Sequence, residues 1–440
     1  MKNVIKKIIV WKLGVIAKMY LRRYKPKIIA ITGNVGKTST KEAIATVLSR
    51  FKKVRSGKGN LNNEFGVPLT IMGDWADDYY EAGNALFFWI RVLTVSFLGL
   101  FFQRNYPEIL VLEFGSDKPG NIKRLVTKFK PHIGVVTAVG EVPVHVEYFS
   151  GPEGVAKEKS QLVEALSASD FAVLNFDDLA VFEMKERTKA KVFTYGFGEG
   201  ANIKISNFEF LISNEGPEGV GFKVDYNDSF VPFKLNGTLG KSQGYAAAAA
   251  TAVGAIFGMN LVDISEALSE YHGPRGRLKI LKGVKNSIII DDTYNSSPLS
   301  THLALETLKE LPGKRKVAVL GDMLELGKYT IDAHKEAGNI AGTFADLLIC
   351  VGLRAKFIAE SAFNQLAPTE VSGMPQQRIF IFETSDEAKL KVKELIKEGD
   401  LILVKGSQGI RMEKIVEEII SEPEKAKLLL VRQGKKWLNK

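Results

Sequence analysis

The chain has 440 residues, and its hydrophobic content of 45% and charged content of 25% are typical of a globular protein with two or three domains. Its formal net charge is +10. The single cysteine, Cys350, lies in the apolar run from Leu347 to Val351, which predicts a buried thiol and excludes a disulfide framework or a cysteine-based metal site. This cysteine usage indicates a reducing, cytoplasmic compartment.

Residues 1–26 are predicted to form a basic amphipathic helix. They contain no acidic residue, and their lysines and arginines are interleaved with apolar side chains. A signal peptide would need a longer apolar core and a small-residue cleavage site, so this segment is not interpreted as one. Two interpretations stay open: attachment in the plane of an anionic membrane surface, or packing on the following domain with the basic face in solvent.

A second apolar stretch covers residues 85–102 and is interrupted by Arg91, Thr94, Ser96 and Gly99. Its length approaches that of a membrane span, but Arg91 lies inside it and alternating α/β sequence follows. The pattern favours a buried or surface-docked helix, and the alternative is a helix that dips into lipid beside residues 1–26. The expected location is therefore the cytoplasm, with the inner face of the membrane as the alternative.

Between these segments, residues 28–40 read IIAITGNVGKTST and predict a phosphate-binding loop. An apolar strand leads into a glycine turn, and a helix-forming sequence follows, so backbone N–H groups and the positive end of a helix would face a phosphate. The spacing is a short form, G-x-x-G-K-T, because Ile31 stands where the longer motif has glycine. The candidate nucleotide-binding residues are Gly33, Asn34, Val35, Gly36, Lys37, Thr38 and Ser39.

From residue 27 onward, short β-branched runs alternate with helical segments, which predicts a doubly wound α/β sheet. The predicted strands are Lys27 to Thr32, Glu108 to Phe114, Ile133 to Ala138, Phe171 to Asn175 and Val192 to Tyr195. Period-two alternation between Asn202 and Leu235 then predicts an antiparallel ribbon. An alanine-rich helix is expected at Tyr245 to Phe257.

A second α/β series begins after the turn at Gly273 to Gly276. Its predicted strands are Ser287 to Asp292, Lys316 to Leu320, Leu347 to Val351, Ile379 to Phe382 and Leu401 to Val404. We therefore expect an N-terminal helix at 1–26, a central domain at 27–273 and a C-terminal domain at 274–440. Residues 422–440 are charged and are predicted to form a helical tail.

Several charged residues lie where parallel sheets bind their ligands, beyond the carboxyl ends of strands. Glu113 ends a predicted strand, and His145 follows the next predicted strand along the chain. An acid or a histidine in such a place is often structural, but near a phosphate loop both become candidate metal ligands. Lys157 and Lys159 begin a predicted helix, and by themselves they would form a solvated face.

Taken together, the motifs resemble those of the Mur ligase family, and specifically its members that add D-alanyl-D-alanine. The resemblance covers about residues 27–420, and the last three motifs distinguish this group from other Mur ligases. The motifs are ITGNVGKTSTKE (31–42), KGNLNNEFGVPLTI (58–71), VLEFGSDKPGNI (111–122), HVEYFSGPEGVAKEKSQL (145–162), DDTYNSSP (291–298), GDMLELG (321–327) and VKGSQGIRME (404–413).

The resemblance implies a phosphate-loop central domain with a parallel sheet, followed by a Rossmann-like C-terminal domain. It places ATP on Lys37 and the glycine-turn amides, and one Mg²⁺ on Thr38. A second Mg²⁺ would be held by Glu113 and His145. Lys159 matches a lysine that is carbamylated in the family, and carbamylation would convert its cation into a metal-binding anion.

Further roles follow from the same resemblance. Arg277 would neutralise charge on the γ-phosphate. Asp292 and Asn295 would lie on the ribose and base side of ATP. A loop with three asparagines would contact the nucleotide-sugar peptide; these are Asn60, Asn62 and Asn63.

The implied reaction has two steps and requires ATP, a MurNAc-tripeptide precursor and D-Ala-D-Ala. ATP would phosphorylate the peptide carboxylate, and the amine of D-Ala-D-Ala would then displace phosphate from the acyl phosphate.

The expected protein is a monomer with no nucleic-acid partner. Two alternatives stay open: a ligase for another amino-acid polymer or folate polyglutamate, and a membrane-associated nucleotide-binding protein without ligation.

The sequence departs from the family pattern in three places. Family members carry a UDP-binding domain before the phosphate loop, where this sequence has only residues 1–26. The UDP group would then be bound by another surface, or the substrate would be carried on a lipid. Thr137 to Gly140 replaces the usual Thr-Asn-Ile-Gly, and Ser242-Gln243 replaces a His-Asn pair, which weakens any assignment of adenine contacts.

Overall fold

The computed structural model describes residues 2–82, 86–365, 378–434 and 437, and it confirms the predicted α/β class. The strands are β1 (Lys27–Thr32), β2 (Val54–Ser56), β3 (Ile109–Glu113), β4 (Ile133–Val136), β5 (Phe171–Asn175), β6 (Lys191–Gly196), β7 (Ile203–Ser213), β8 (Gly216–Tyr226), β9 (Ser229–Asn236), β10 (Lys279–Lys282), β11 (Ile288–Asp292), β12 (Lys316–Gly321), β13 (Leu347–Val351), β14 (Ile379–Phe382) and β15 (Leu401–Lys405). The α-helices are α1 (Lys2–Tyr24), α2 (Lys37–Ser49), α3 (Gly66–Met72), α4 (Ala76–Ala82), α5 (Leu86–Phe102), α6 (Asn121–Lys128), α7 (Pro152–Glu164), α8 (Leu179–Phe182), α9 (Lys241–Ile256), α10 (Leu261–Ser269), α11 (Pro298–Glu310), α12 (Thr330–Gly342), α13 (Lys356–Gln365), α14 (Ser385–Leu395), α15 (Glu413–Ile419) and α16 (Ala426–Leu429).

The first sheet has nine strands in the order β2-β3-β1-β4-β5-β6-β7-β8-β9. Strands β2 to β7 pair in parallel, and β8 and β9 extend the sheet in antiparallel fashion, as the alternating sequence predicts. β1 lies between β3 and β4, so the loops after these three strands meet at one edge of the sheet. The phosphate loop is therefore central in this sheet.

The alanine-rich helix α9 packs beside α2 in the core of the first sheet. Its run Ala246 to Ala250 is fully buried, and small side chains allow the two helices to approach closely. This arrangement fixes the helix that carries the phosphate loop.

The second sheet has six strands in the order β10-β11-β15-β12-β13-β14, and all neighbours except β10 and β11 are parallel. Each predicted strand of this series is confirmed, and Cys350 is buried in β13. The sheet begins with the short edge strand β10 at Lys279, close to the predicted boundary at 273/274. The domain boundaries themselves stay a prediction.

The N-terminal helix α1 packs on the protein rather than projecting freely into solvent. Leu13, Ala17 and Tyr20 are buried, and the Tyr20 hydroxyl donates to the carbonyl of Ser96 in α5 at 2.9 Å. The apolar stretch at 85–102 is likewise helical from Leu86 onward, and residue 85 lies outside the described residues. Among the described helices, none is long and apolar enough to cross a membrane.

The predicted helical tail at 422–440 is wrong for part of its length. In the described part of the tail, a short 3₁₀ turn covers Pro423–Lys425, α16 follows it, residues 430–434 are not helical, and Trp437 is helical. The chain then continues in irregular form because Arg432 is anchored by side-chain hydrogen bonds to the carbonyls of Thr293 and Tyr294 and to Glu413.

Candidate active-site cleft

A cleft of about 450 Å³ lies between the loops of the first sheet and those of the second. The phosphate loop, the end of β3 and the start of α7 line one side; Arg277, just before β10, and residues that follow β11, β12 and β15 line the other. The carboxyl ends of parallel strands thus face each other across one cavity.

The phosphate loop has the positive-φ backbone that its glycines predict. Gly33 has φ of 136° and Gly36 has φ of 89°, and a side chain at Gly33 would overlap the Thr137 hydroxyl. The N–H groups of Asn34 and Val35 donate to the carbonyl of Ala138 at 2.7 and 3.1 Å. In this structure the amides open to a phosphate are therefore those in the first turn of α2, which have no partner within the helix.

Asn34 provides an independent sign that this loop receives a ligand. Its side-chain amide nitrogen is buried, and no hydrogen-bond partner lies among the described residues. A buried donor without an acceptor costs about 1–3 kcal/mol, and a phosphate oxygen would satisfy it. The residues present therefore fit a nucleotide phosphate.

Glu113 is the anionic centre of the cleft. Its carboxylate accepts hydrogen bonds from the Thr38 hydroxyl and the Asn62 amide, both at 3.1 Å. Burial by itself would raise the pKa of Glu113, but the Lys37 and Lys41 cations and these hydrogen bonds outweigh it and lower the pKa. The group is thus an ionised carboxylate beside a hydroxyl, which is the donor set that Mg²⁺ prefers.

Lys159 is almost completely buried, and its ammonium group donates to the Ser116 hydroxyl at 2.7 Å. Burial, together with the nearby Lys37 cation, lowers the pKa of Lys159 to about 7. A large fraction of this amine is then neutral at neutral pH, and a neutral amine is the form that reacts with CO₂. By contrast, Lys157 on the same helix is exposed.

His145 connects the two sides of the cleft. Its Nδ1 lies 2.5 Å from the Glu325 carboxylate, which follows β12, and its Nε2 lies 3.6 Å from Asp117. The close contact with His145 lowers the pKa of Glu325. Within the described ranges, no group of three or more His, Cys, Asp or Glu side chains is placed to hold a metal ion. The predicted site at Glu113 and His145 would therefore need ligand or carbamate oxygens to complete it.

Arg277 enters the cleft from the segment before β10. Its guanidinium lies 4.2 Å from the ring centre of Tyr294, and its charge contributes to lowering the pKa of Lys37, after burial. Its backbone carbonyl accepts from the side chain of Gln243 at 3.0 Å, and Gln243 in turn accepts from the Tyr271 hydroxyl. Each end of this amide thus makes one hydrogen bond, and through them Gln243 holds the backbone of Arg277 beside Tyr271.

Asp292 lines a small recess beside the phosphate loop, whereas Asn295 lines the main cleft. The Asp292 carboxylate pairs with the buried Lys405 at 2.5 Å, and it lines a small recess of about 30 Å³ beside Gly36 and Ser39. Lys405 also donates to the carbonyl of Asn295 at 3.1 Å. Asn295 lines the main cleft, so the Asp292–Lys405 pair supports the loop that presents Asn295.

The asparagine loop is divided between two roles. Asn60 and Asn62 line the cleft, where the Asn62 amide donates to the side chain of Asn60. Asn63 instead accepts from the backbone N–H groups of Phe65 and Gly66 at the start of α3. Asn63 does not line the cleft, and its contact with a substrate stays a prediction.

The structure brings most of the predicted site residues together in the main cleft, which contains Asn34, Val35, Lys37, Thr38, Asn60, Asn62, Glu113, His145, Lys159, Arg277 and Asn295. Sequence reasoning missed Lys41, whose ammonium group donates to the Gly57 carbonyl at 2.5 Å and fixes the start of the asparagine loop. It also missed Lys405 and Glu325. All three lie inside quoted motifs, but only a fold shows what they contact.

Comparisons with known proteins agree with this geometry. The family model described as "Mur ligase middle domain" matches residues 92–254, and the one described as "Mur ligase, glutamate ligase domain" matches residues 276–408. The chain is 30% identical over 412 residues to the UDP-N-acetylmuramoyl-tripeptide--D-alanyl-D-alanine ligase of Bacillus subtilis, covering 93% of this chain and 79% of that protein. The ligase of the same name from Escherichia coli is 26% identical, with coverage of 92% and 79%.

Solved structures are similar over the same extent. A crystal structure of MurF from Acinetobacter baumannii has a TM-score of 0.71 and 26% identity, covering 92% of this chain and 79% of that chain. MurF from Thermotoga maritima, solved in complex with ADP, has a TM-score of 0.74 and 24% identity, with coverage of 94% and 84%. The two family-model ranges contain Glu113, His145 and Lys159 on one side of the cleft and Arg277 and Asn295 on the other. The chain belongs to the Mur ligase family.

Proposed function

We propose that this chain is an ATP-dependent ligase that adds D-alanyl-D-alanine to the peptide of a MurNAc-tripeptide precursor in peptidoglycan synthesis. The observation that supports this most directly is the single cleft that joins Lys37, Glu113 and Lys159 of the first sheet to Arg277 and Asn295 of the second. The relatives that share both halves of this cleft carry the name of that activity.

In the first step, the terminal carboxylate of the acceptor peptide attacks the γ-phosphorus of ATP, forming an acyl phosphate and releasing ADP. In the second, the D-Ala-D-Ala amine attacks the acyl carbon, loses a proton and expels phosphate. Lys37, the first turn of α2 and Arg277 lower the repulsion between the two anionic reactants. The cleft lies between two sheets, and its closure would keep water from the acyl phosphate.

Glu113 and Thr38 are the residues that would hold a first Mg²⁺, and His145 and carbamylated Lys159 would contribute to a second. When bound, Mg²⁺ supplies charge neutralisation at the phosphate oxygens. Carbamylation of Lys159 forms an N–C bond between its neutral amine and CO₂ and releases one proton. The lowered pKa of this lysine and its burial beside Ser116 support that modification.

The proposed function predicts that phosphate is released from ATP only when both the UDP-linked tripeptide precursor and D-Ala-D-Ala are present. The measurement is a coupled phosphate assay with each reactant omitted in turn. Release with glutamate in place of D-Ala-D-Ala would support the other-polymer alternative and contradict this proposal. No release with any acceptor would contradict ligation itself.

We also propose that the protein acts as a monomer and contacts the inner face of the membrane through residues 1–26 and 85–102. α1 and α5 pack beside each other on the core of the first sheet. On the side away from the core they expose apolar residues, here called the α1–α5 face: Val4, Ile8, Trp11, Val15, Leu86, Phe87, Ile90, Phe97, Phe101 and Phe102. Trp11 is 66% exposed and Phe87 is 78% exposed.

Charge favours an anionic lipid surface as the partner of this face. The side chains of Lys7, Lys12 and Lys18 are exposed on α1, and α1 carries no acidic residue. Each lysine close to an anionic membrane contributes about 1 kcal/mol, and aromatic side chains add apolar insertion. Such contact is peripheral, because no described helix is suited to cross the bilayer.

The membrane proposal predicts that the double variant Trp11→Ser and Phe87→Ser binds anionic vesicles about 10-fold more weakly or worse, since two large apolar side chains no longer insert. Co-sedimentation with vesicles of mixed anionic and zwitterionic lipid measures this. Phe230→Ser with Leu353→Ser is the matched control, because both residues are exposed and lie outside α1 and α5. Equal binding of both double variants would contradict the proposal.

A further inference from the structure

Two cavities outside the cleft adjoin each other around Trp75. One of about 320 Å³ is bordered by β2 and the start of the asparagine loop, and one of about 420 Å³ is bordered by α1 and α5. Arg55, Gly73, Asp74 and Trp75 line both. These two neighbouring cavities are here called the Trp75 cavity, and the proposed reaction does not use them.

The Trp75 cavity contains buried hydrogen-bond donors without acceptors. Trp75 is 8% exposed and Ser96 is 1% exposed, yet neither the indole nitrogen of Trp75 nor the hydroxyl of Ser96 has a partner among the described residues. A side chain at Gly73 would lie 2.9 Å from that indole nitrogen, so the glycine keeps the space beside it open. An indole N–H can only donate, so it requires an acceptor from a ligand.

Arg55 adds a positive charge to the same space. It is half-buried and donates to the carbonyls of Thr70 and Ile71, at 3.3 and 2.9 Å, and in the described part of the chain no carboxylate forms an ion pair with it. Asp74 also acts electrostatically on Arg55, but it pairs with Lys58 at 2.7 Å, and Asp78 pairs with Arg91 at 3.3 Å. The charge left over is that of a guanidinium, which suits a phosphate oxygen.

The Trp75 cavity lies between the α1–α5 face and the asparagine loop. Val95 and Gly99 of α5 line its outer part, and Val95 is itself an exposed apolar residue. Lys58 and Leu61 line its inner part and alternate along the loop with Asn60 and Asn62, which line the cleft. One side of this loop thus faces the cavity, and the other side faces the cleft that contains Glu113.

We infer that the Trp75 cavity binds a phosphate or diphosphate group that links the acceptor to its carrier. Trp75 donates its indole N–H to the phosphate, and Arg55 supplies the positive charge. The Ser96 hydroxyl is a second donor, in the part of the cavity bordered by α1 and α5. This inference rests on the proposed function for the identity of the acceptor, but the binding of the phosphate group can be measured without ligation. The group belongs either to a lipid-linked diphosphate or to a free nucleotide diphosphate.

The first test uses inorganic pyrophosphate and the full chain saturated with ADP, so that the phosphate loop is already occupied. We expect calorimetry to detect pyrophosphate binding, and Trp75→Phe and Arg55→Gln to weaken it about 10-fold or more, because each loses a donor to a charged acceptor. Trp89→Phe is the control, since Trp89 is buried but lines neither part of the cavity. Thermal melting shows that each variant is folded.

The source of the phosphate is distinguished by two further probes: UDP in solution, and zwitterionic vesicles that carry a polyprenyl diphosphate lipid. Binding of either probe that Trp75→Phe weakens supports the inference and identifies the source. Pyrophosphate binding that is absent, or equal in all variants, overturns it. If pyrophosphate binds and Trp75→Phe weakens that binding, but the protein does not catalyse ligation, the result counts against the proposed function alone.

Discussion

Replacing Lys159 with alanine is expected to lower the ligation rate about 100-fold or more, because the variant loses the group that would become an anionic metal ligand. The coupled phosphate assay with saturating ATP, tripeptide precursor and D-Ala-D-Ala measures this loss. Lys157→Ala is the matched control: it removes an exposed lysine from the same helix and should leave the rate unchanged. A rate within about twofold of the unchanged protein in Lys159→Ala would contradict the assigned role.

The pH dependence separates a carbamate from a cation at this position. The pKa of Lys159 is lowered to about 7, so its amine is mainly neutral above that pH and mainly protonated below it. Only the neutral amine binds CO₂, so we expect activity to fall as the pH drops below about 7 and added bicarbonate to raise it near that pH. A role as an ammonium cation would give the opposite trend and no bicarbonate effect.

The strands follow from local sequence more fully than the site does. Buried β-branched runs such as β1 and β13 must be strands, and the alternating run through β7 to β9 must expose one face. The edge strands β2 and β10 have no such pattern, because they are only three and four residues long and are partly exposed. Their existence depends on pairing with β3 and β11.

The site is predictable where a residue acts through its own motif and unpredictable where it acts through a distant partner. Lys37 and Thr38 follow from the loop that contains them, whereas Gln243 contacts Arg277, which lies 34 positions further along the chain. The Lys405–Asp292 pair spans 113 positions and forms only when β15 is inserted beside β11. Tertiary pairing of this kind leaves no signal in one sequence.

Replacing Glu113 with glutamine is expected to lower the ligation rate about 100- to 1000-fold and to raise the Mg²⁺ concentration needed for half of the maximal rate. The side chain keeps its size, but the carboxylate that accepts from Thr38 and Asn62 and faces Lys37 and Lys41 loses its charge. A titration with Mg²⁺ at saturating ATP measures both effects. Glu113→Asp, which keeps the charge and moves it, should retain part of the activity.

Loss of stability must be separated from loss of metal binding in this experiment. Removing one partner of a buried charge pair costs about 3–5 kcal/mol, so urea unfolding of each variant is needed beside the rates. Glu108→Gln supplies the control, since Glu108 directly precedes β3, is exposed and pairs with Lys52 at 2.9 Å. If Glu113→Gln stays folded and keeps the Mg²⁺ dependence of the unchanged protein, Glu113 supports the loop through Thr38 and Asn62 and does not bind the metal.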